Sequence, residues 1–482
     1  MNTIWQVETS EQDIHLVVEQ SARAFQSFKL VGGQKRAAFL RSIAYEIESL
    51  GDQLIEIVQK ETHLSRERIV SERQRTIGHC MLFADYIENG LEREVSMSEG
   101  NAYNIPSLKP KLRKMLFPIG PIAVFGAANF PLAYSTAGGD TISALASGCT
   151  VIAKAHPAHP HTCFKVEGAI QKAAQDTGMP DYVFQQIYGG AHKVGKALVT
   201  HPAIKAVGFT GSFVGGKALY DLVQTRKEPI PFFAEMSSIN PVILLPGALE
   251  KSSKSIAASL VSSMTTDMGQ FCTCPGLLIT LAGAGQAELI EAMEAQLFKV
   301  NPQKMLHQGI ADNYRQQVEK MIHHTHIKVI ARGGFVADSL EGQPIFAKVD
   351  ARHFLESPTL SEEVFGPFSI LVNCRSEEEL LDVVKNLSGQ LTMTVHAEKK
   401  DQDMVQQLVP LMVEKAGRLI FNGVPTGVEV NSAQVHGGPF PATTDSRFTA
   451  VGPEAVKRFM RPVTFQNFPE EFLPKELKKG LP

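Results

Sequence analysis

Pro121-Ile-Ala-Val-Phe-Gly-Ala-Ala-Asn-Phe-Pro131 reads as a short buried strand, Ile122 to Phe125, that runs straight into a Gly/Pro turn. A helix over Ala137 to Ser147 follows, then a strand over Thr150 to Ala153 and a helix over Thr162 to Thr177. The alternation continues with strand Phe184 to Ile187, helix Ala191 to Val199, strand Ala206 to Phe209 and helix Phe213 to Val223. Strands alternating with helices of this length predict an α/β fold with a parallel, doubly wound sheet. Such sheets bind ligands beyond the carboxyl ends of their strands.

On the N-terminal side, the first hundred residues read as helix. Apolar Ala38, Leu40, Ile43 and Ile47 recur at helical spacing within Ala37 to Leu50, and a second helix covers Gln53 to Thr62. On the C-terminal side, a second α/β unit begins near Ile239. It contains strands Pro241 to Leu245 and Gly276 to Leu281, with helices over Ser255 to Met264, over Ala287 to Phe298 and near Arg315. The run Met460 to Phe468 is extended, aromatic-containing and suited to pairing with another strand.

With 482 residues the chain exceeds one ordinary domain, and roughly three compact units are expected. A formal net charge of −3 without a long basic run speaks against nucleic acid or an anionic membrane as partner. The start of the chain lacks the basic and apolar regions of an export signal. The most apolar stretch, Phe117 to Ala137, is broken by three prolines and two glycines and is no membrane span. Six cysteines in a chain this long form no disulfide framework, so a reduced, cytoplasmic setting is expected.

Gly269-Gln-Phe-Cys-Thr-Cys-Pro-Gly276 places Cys272 in a Gly/Pro-bounded turn between an amphipathic helix and an apolar strand. Backbone N–H groups around such a turn favour a thiolate, although a turn cysteine is more often inert. Glu235 ends the apolar run Phe232-Phe-Ala-Glu235, where burial would raise its pKa and suit it to general-base work; a solvated strand end is the plain alternative. Asn129 follows the strand Ile122 to Phe125, and its amide can donate to an oxyanion or simply serve the turn. In Phe209-Thr-Gly-Ser-Phe-Val-Gly-Gly216, Gly211 permits close backbone approach, and the following helix start attracts a phosphate. Lys154, at a strand end, can reach a ribose hydroxyl or point to solvent.

Taken in order, Asn129-Phe-Pro, Lys154, Phe209-Thr-Gly-Ser, Glu235, Gly269-Gln-Phe-Cys272 and Glu363-Val-Phe-Gly-Pro367 resemble the aldehyde dehydrogenase superfamily over nearly the whole chain. Gly138-Gly-Asp140, Lys154-Ala-His-Pro-Ala-His159, Phe233-Ala-Glu-Met, Ile239-Asn-Pro and His436-Gly-Gly-Pro-Phe-Pro-Ala-Thr-Thr-Asp445 are similar to its 2-oxoglutarate semialdehyde (2,5-dioxovalerate) dehydrogenase branch. Some long-chain aldehyde dehydrogenases share that branch.

The resemblance implies Cys272 as nucleophile, Glu235 as base and Asn129 as oxyanion donor. It assigns Lys154, Gly211, Ser212, Glu363 and Phe365 to NADP or NAD, and requires no metal. It implies a dinucleotide-binding domain (1–100 and 119–237), a catalytic domain (238–450) and an oligomerisation element (101–118 and 456–468), in a homodimer or homotetramer. Where most of the superfamily has Leu-Gly-Gly-Lys after the base, this chain has Met236-Ser-Ser-Ile239. Cys274 is a second thiol two residues from the nucleophile and reads as structural. NAD-specific members commonly carry a Glu three residues after the ribose-binding lysine; here Pro157 stands there, so NADP is expected to be accepted.

The implied reaction oxidises a small-molecule aldehyde to a carboxylic acid, with 2-oxoglutarate semialdehyde favoured over a fatty or other aliphatic aldehyde. Transfer to coenzyme A would not need Glu235, and a silent binding member would not need all three catalytic groups. A substrate carboxylate needs a cation. Arg75, in Glu72-Arg-Gln-Arg-Thr76, serves that purpose or forms a surface salt bridge.

Overall fold

The structure, a computed structural model, describes residues 8–99 and 110–478. The segment 101–109 of the expected oligomerisation element therefore lies outside the described residues. Among the described residues the longer strands form three sheets, beside one two-stranded ribbon.

Strands β1 (Ser96–Ser98) and β2 (Leu112–Pro118) pair antiparallel. A five-stranded sheet follows, built from β3 (Ile122–Phe125), β4 (Val151–Lys154), β5 (Phe184–Ile187), β6 (Ala206–Thr210) and β7 (Phe232–Glu235). Its order is β5-β4-β3-β6-β7 with every pairing parallel. The seven-stranded sheet comprises β8 (Val242–Leu244), β9 (Leu277–Leu281), β10 (Lys328–Arg332), β11 (Ile345–Asp350), β12 (Phe368–Cys374), β13 (Gln390–His396) and β14 (Ala416–Phe421). They lie in the order β10-β11-β12-β9-β8-β13-β14, and only β10 runs antiparallel to its neighbour. Finally β15 (Met460–Gln466) returns to pair antiparallel with β2, Met460 opposite Pro118 and Gln466 opposite Leu112.

The doubly wound α/β expectation holds, with most helix ends displaced by one to a few residues from the periodicity and one helix start by nine. Helix 139–147 starts two residues late, after the turn that Gly138 enters in extended conformation. Helix 246–265 starts nine residues before the expected Ser255, because Pro246 at its first position needs no N–H partner.

Both parallel sheets are buried on their faces. Ile122, Ala123, Ile152, Val207, Ile243 and Ile279 have no exposed surface. Each fully buried aliphatic side chain is worth about 1.5–3 kcal/mol. The five-stranded sheet reverses its strand order on either side of β3, since β4 lies on one flank and β6 on the other. The crevice of a doubly wound sheet opens at that reversal, beyond the carboxyl ends of the strands.

Candidate active site

Three loops meet beyond those strand ends. The first leaves β3 and carries Asn129; the second leaves β6 and carries Gly211 and Ser212; the third leaves β7, whose last residue is Glu235. A cleft of about 1020 Å³ is lined by Asn129, Gly211, Ser212, Glu235, Cys272, Glu363 and Phe365 together. Lys154 and Arg75 do not line it.

Cys272 is held by a short strained lead-in. Asp267, Met268 and Gly269 all have positive φ, at 46°, 53° and 65°. At Gly269 a Cβ would stand 2.5 Å from the Gly366 backbone, so only glycine brings the Cys272 loop against the Glu363–Pro367 loop. Asn240 Nδ2 donates to the carbonyls of Cys272 (2.9 Å) and Cys274 (3.0 Å), clasping the turn from below. Arg68 ties the other side. It donates to Asp267 (2.9 Å) and Glu72 (2.7 Å), and its guanidinium lies 4.4 Å from the Phe130 ring centroid and 5.5 Å from that of Phe271. Glu72 in turn accepts from the amides of Leu132 and Ala133, which fixes the Asn129 loop. Asn129 Nδ2 donates to Gln270 O at 2.9 Å, which uses one of its two N–H bonds and orients the other.

His436 is the residue that periodicity and motif reading passed over. Its Nε2 lies 3.6 Å from Cys272 Sγ and 3.0 Å from Glu235 Oε1. The segment that carries it docks on β7. Thr444 Oγ1 accepts from the Ala234 amide at 2.9 Å, and Met236 N donates to Ala442 O at 2.9 Å. Gly438 makes the docking possible, because a Cβ there would stand 2.0 Å from Gln390 O. The quoted His436-Gly-Gly-Pro motif was the available signal, but nothing in its spacing points at Cys272.

This contact overturns two expectations about ionisation. Burial is the largest single influence and acts to raise the Glu235 carboxyl, but the adjacent His436, together with the Cys272 thiol and Arg458, holds the group below the usual carboxylate range. Cys272 goes the opposite way to the turn argument. Burial pushes its thiol well above the ordinary range, and the Glu235 charge beside it adds to the rise.

At the opposite wall, Glu363 is half-buried and its carboxyl is pushed up to about 7 by burial, against hydrogen bonds from Ser237 and the Ser238 amide. The serine that departs from the usual glycine thus joins the base loop to the Glu363 loop. Cys274 is half-buried and faces the Met264 and Gly366 carbonyls, its thiol pushed up to about 12 by desolvation.

Arg75 forms no ion pair among the described residues. Its Nη2 donates to Tyr134 Oη at 3.1 Å, its guanidinium lies 5.6 Å from the Tyr134 ring centroid, and its Nε is buried without a partner. Its charge reaches the Cys272 thiol. The surface salt bridge is absent here.

The sequence matches the aldehyde dehydrogenase family over residues 2–461. The chain belongs to that family. Aldehyde dehydrogenases are oxidoreductases that use NAD(P). Two relatives cover 98% of this chain: alpha-ketoglutaric semialdehyde dehydrogenase 2 of Azospirillum brasilense, 44% identical over 90% of its own length, and alpha-ketoglutaric semialdehyde dehydrogenase of Acinetobacter baylyi, 42% identical over 89%. Among solved structures, a 1-pyrroline-5-carboxylate dehydrogenase aligns with TM-score 0.79 at 20% identity, over 95% of this chain and 86% of its own. The glyceraldehyde-3-phosphate dehydrogenase GapN of Methanocaldococcus jannaschii, complexed with NADP, aligns with TM-score 0.78 at 19% identity, over 95% of both chains. These two establish the aldehyde dehydrogenase fold.

The residues at the β6 loop fit a dinucleotide. Helix 213–224 begins at the cleft with Ser212 as its N-cap, accepting from the Gly215 amide at 3.3 Å, so free amides and the helix dipole face the space a diphosphate needs. Lys154 ends β4, the strand next to β3 in the same sheet; burial lowers its pKa. His156 lines the cleft two residues on, and Pro157 is exposed. Among the described residues, no helix is long and apolar enough to cross a membrane.

Proposed function

We propose that this chain oxidises 2-oxoglutarate semialdehyde to 2-oxoglutarate with NADP or NAD, releasing the acid by hydrolysis. The observation that carries the chemistry is the Cys272–His436–Glu235 contact chain at the floor of the cleft. The substrate follows from the two semialdehyde dehydrogenases that match 98% of the chain, and from Arg75, a cation that acts on the thiol and forms no ion pair among the described residues.

In the mechanism, the His436–Glu235 pair takes the Cys272 proton, with the imidazole facing the sulfur. The thiolate attacks the aldehyde carbon, forming the C–S bond. The second N–H of Asn129 and the Cys272 amide stabilise the resulting alkoxide. Lys154, Gly211, Ser212, Glu363 and Phe365 would hold the NAD(P), which supplies the acceptor for the hydride the alkoxide expels. The thioester left on Cys272 is then attacked by water. Glu235, held ionised by His436, accepts that water's proton, and the C–S bond breaks to return the thiolate. Arg75, outside the cleft lining and donating to Tyr134, supplies the positive charge toward which the distal carboxylate is oriented. A buried base reserved for water favours hydrolysis over transfer to coenzyme A.

The absence of a carboxylate at Pro157, with His156 close by, supports acceptance of a 2′-phosphate. Residues 1–100 with 119–237 form the dinucleotide-binding domain, 238–450 the catalytic domain, and 101–118 with 456–468 the oligomerisation element of a cytoplasmic homodimer or homotetramer. The deciding experiment is a panel of aldehydes assayed with NAD and NADP, with and without coenzyme A. Preference for 2-oxoglutarate semialdehyde, independent of coenzyme A, is expected. Preference for long aliphatic aldehydes would overturn the substrate, and an absolute requirement for coenzyme A would overturn the hydrolytic step.

A further inference from the structure

Cys272 Sγ, His436 Nε2 and a Glu235 carboxylate oxygen all lie within 4.8 Å of one another. A tetrahedral zinc ion with Zn–S of about 2.3 Å and Zn–N of about 2.05 Å separates its sulfur and nitrogen ligands by about 3.6 Å. The separation here is 3.6 Å. For a nitrogen and a carboxylate oxygen the same geometry requires about 3.3 Å, and both Glu235 oxygens stand 3.0 Å from Nε2. Closing that edge takes a side-chain adjustment of a few tenths of an ångström.

A second observation points the same way. Glu235 is 6% exposed, and its Oε2 is buried without a hydrogen bond of acceptable geometry. The carboxylate's close partners are His436 Nε2 at 3.0 Å and the Cys272 thiol, both proposed ligands, so a cation would take the place of the protons shared among them. Charge also favours a cation. Glu235 and Glu363 both act electrostatically on the thiol, while Arg458, which acts on Glu235 after His436, is paired with Asp140 at 2.7 Å. Arg75 and Arg418 are the opposing charges at the thiol.

We propose that Cys272, His436 and Glu235 form a binding site for a soft divalent cation of the zinc class, which reversibly blocks turnover. One thiolate, one imidazole and one carboxylate select zinc or cobalt over magnesium or calcium. The fourth position opens to the cleft and takes water. On binding, the thiol proton and the proton between His436 Nε2 and Glu235 both pass to solvent, and S–metal, N–metal and O–metal bonds form; nothing is oxidised or reduced. The block, as distinct from the binding, rests on Cys272 being the nucleophile, since a metal-bound thiolate cannot attack a carbonyl.

The test is Co²⁺ titration of the full-length protein free of dinucleotide and substrate, read by absorbance, with Zn²⁺ displacement and a parallel activity assay. A sulfur-to-cobalt charge-transfer band with tetrahedral ligand-field bands is expected at one equivalent, and Zn²⁺ should abolish both. Cys272→Ser should remove the charge-transfer band. His436→Gln and Glu235→Gln should each weaken affinity at least ~10-fold, as loss of a partner at a metal site does. Cys274→Ser should leave the band intact. His15, Glu19 and His201 form another cluster of potential ligands, but it contains no thiol, so cobalt bound there gives no such band. Zn²⁺ should inhibit turnover and EDTA should restore it. No charge-transfer band, or a band unchanged in both His436→Gln and Glu235→Gln, overturns the site. The absorbance arm needs no aldehyde, so it stands apart from any failure of the proposed oxidation. Bands that form while turnover continues unimpaired would overturn the block and the assignment of Cys272 as nucleophile.

Discussion

Replacing His436 by Gln keeps a hydrogen-bond donor near Glu235 but removes the imidazole that faces both the carboxylate and the thiol. In the intact protein the effects on Glu235 oppose each other: burial raises its pKa, and His436, with smaller help from the Cys272 thiol and Arg458, lowers it below the usual range. A charge-assisted hydrogen bond contributes about 1.5–3 kcal/mol net, or roughly one to two pKa units. With His436 gone, burial prevails and the carboxyl rises above the usual carboxylate range. The base works only when deprotonated, so activity is lost on the acid side of its pKa. The acid limb of kcat should therefore move to higher pH by about one to two units. Steady-state rates with saturating aldehyde and cofactor, from about pH 5 to about pH 9, measure it. The plateau should also fall, by about 10²-fold or more, because the thiol has lost the group that faces it. An acid limb that stays in place, or moves to lower pH, would refute the claim that His436 sets the ionisation of Glu235.

Glu235→Gln should retain a burst of reduced cofactor in rapid mixing, followed by turnover slowed about 10²–10⁴-fold, since His436 alone can still take the thiol proton; loss of the burst would make Glu235 necessary for acylation. Asn129→Ala should lower kcat by roughly 10²–10³, and an effect confined to KM would reassign it to positioning. Arg75→Ala should lower kcat/KM for 2-oxoglutarate semialdehyde by ~10-fold or more while sparing an aliphatic aldehyde of similar length. Equal losses on both would make Arg75 a support for Tyr134.

Much of this was legible in order along the chain. Strand β3 falls at the residues its apolar run predicts, because a parallel strand buried on both faces is apolar throughout; β5 falls at its expected residues although Gln185 and Gln186 are buried in it. Cys272, Glu235 and Asn129 stood out because each ends or interrupts such an element, and the doubly wound topology carries those ends to one cleft. What local pattern could not supply was the chemistry between them. His436 is 164 residues from Cys272 and 201 from Glu235 in the chain, and nothing periodic links them. Only the docking of its segment on β7 made them neighbours, and with that the ionisation of Glu235 came out opposite to the burial argument. Arg75 likewise could be read from sequence as a cation on a helix. Whether an acid neutralised it depended on which side chains the fold brought near, and the fold brought Tyr134 instead. Element type follows from the sequence because it rests on neighbours three or four residues away. Protonation and pairing follow from distance and solvent exclusion in three dimensions, which only the packed structure decides.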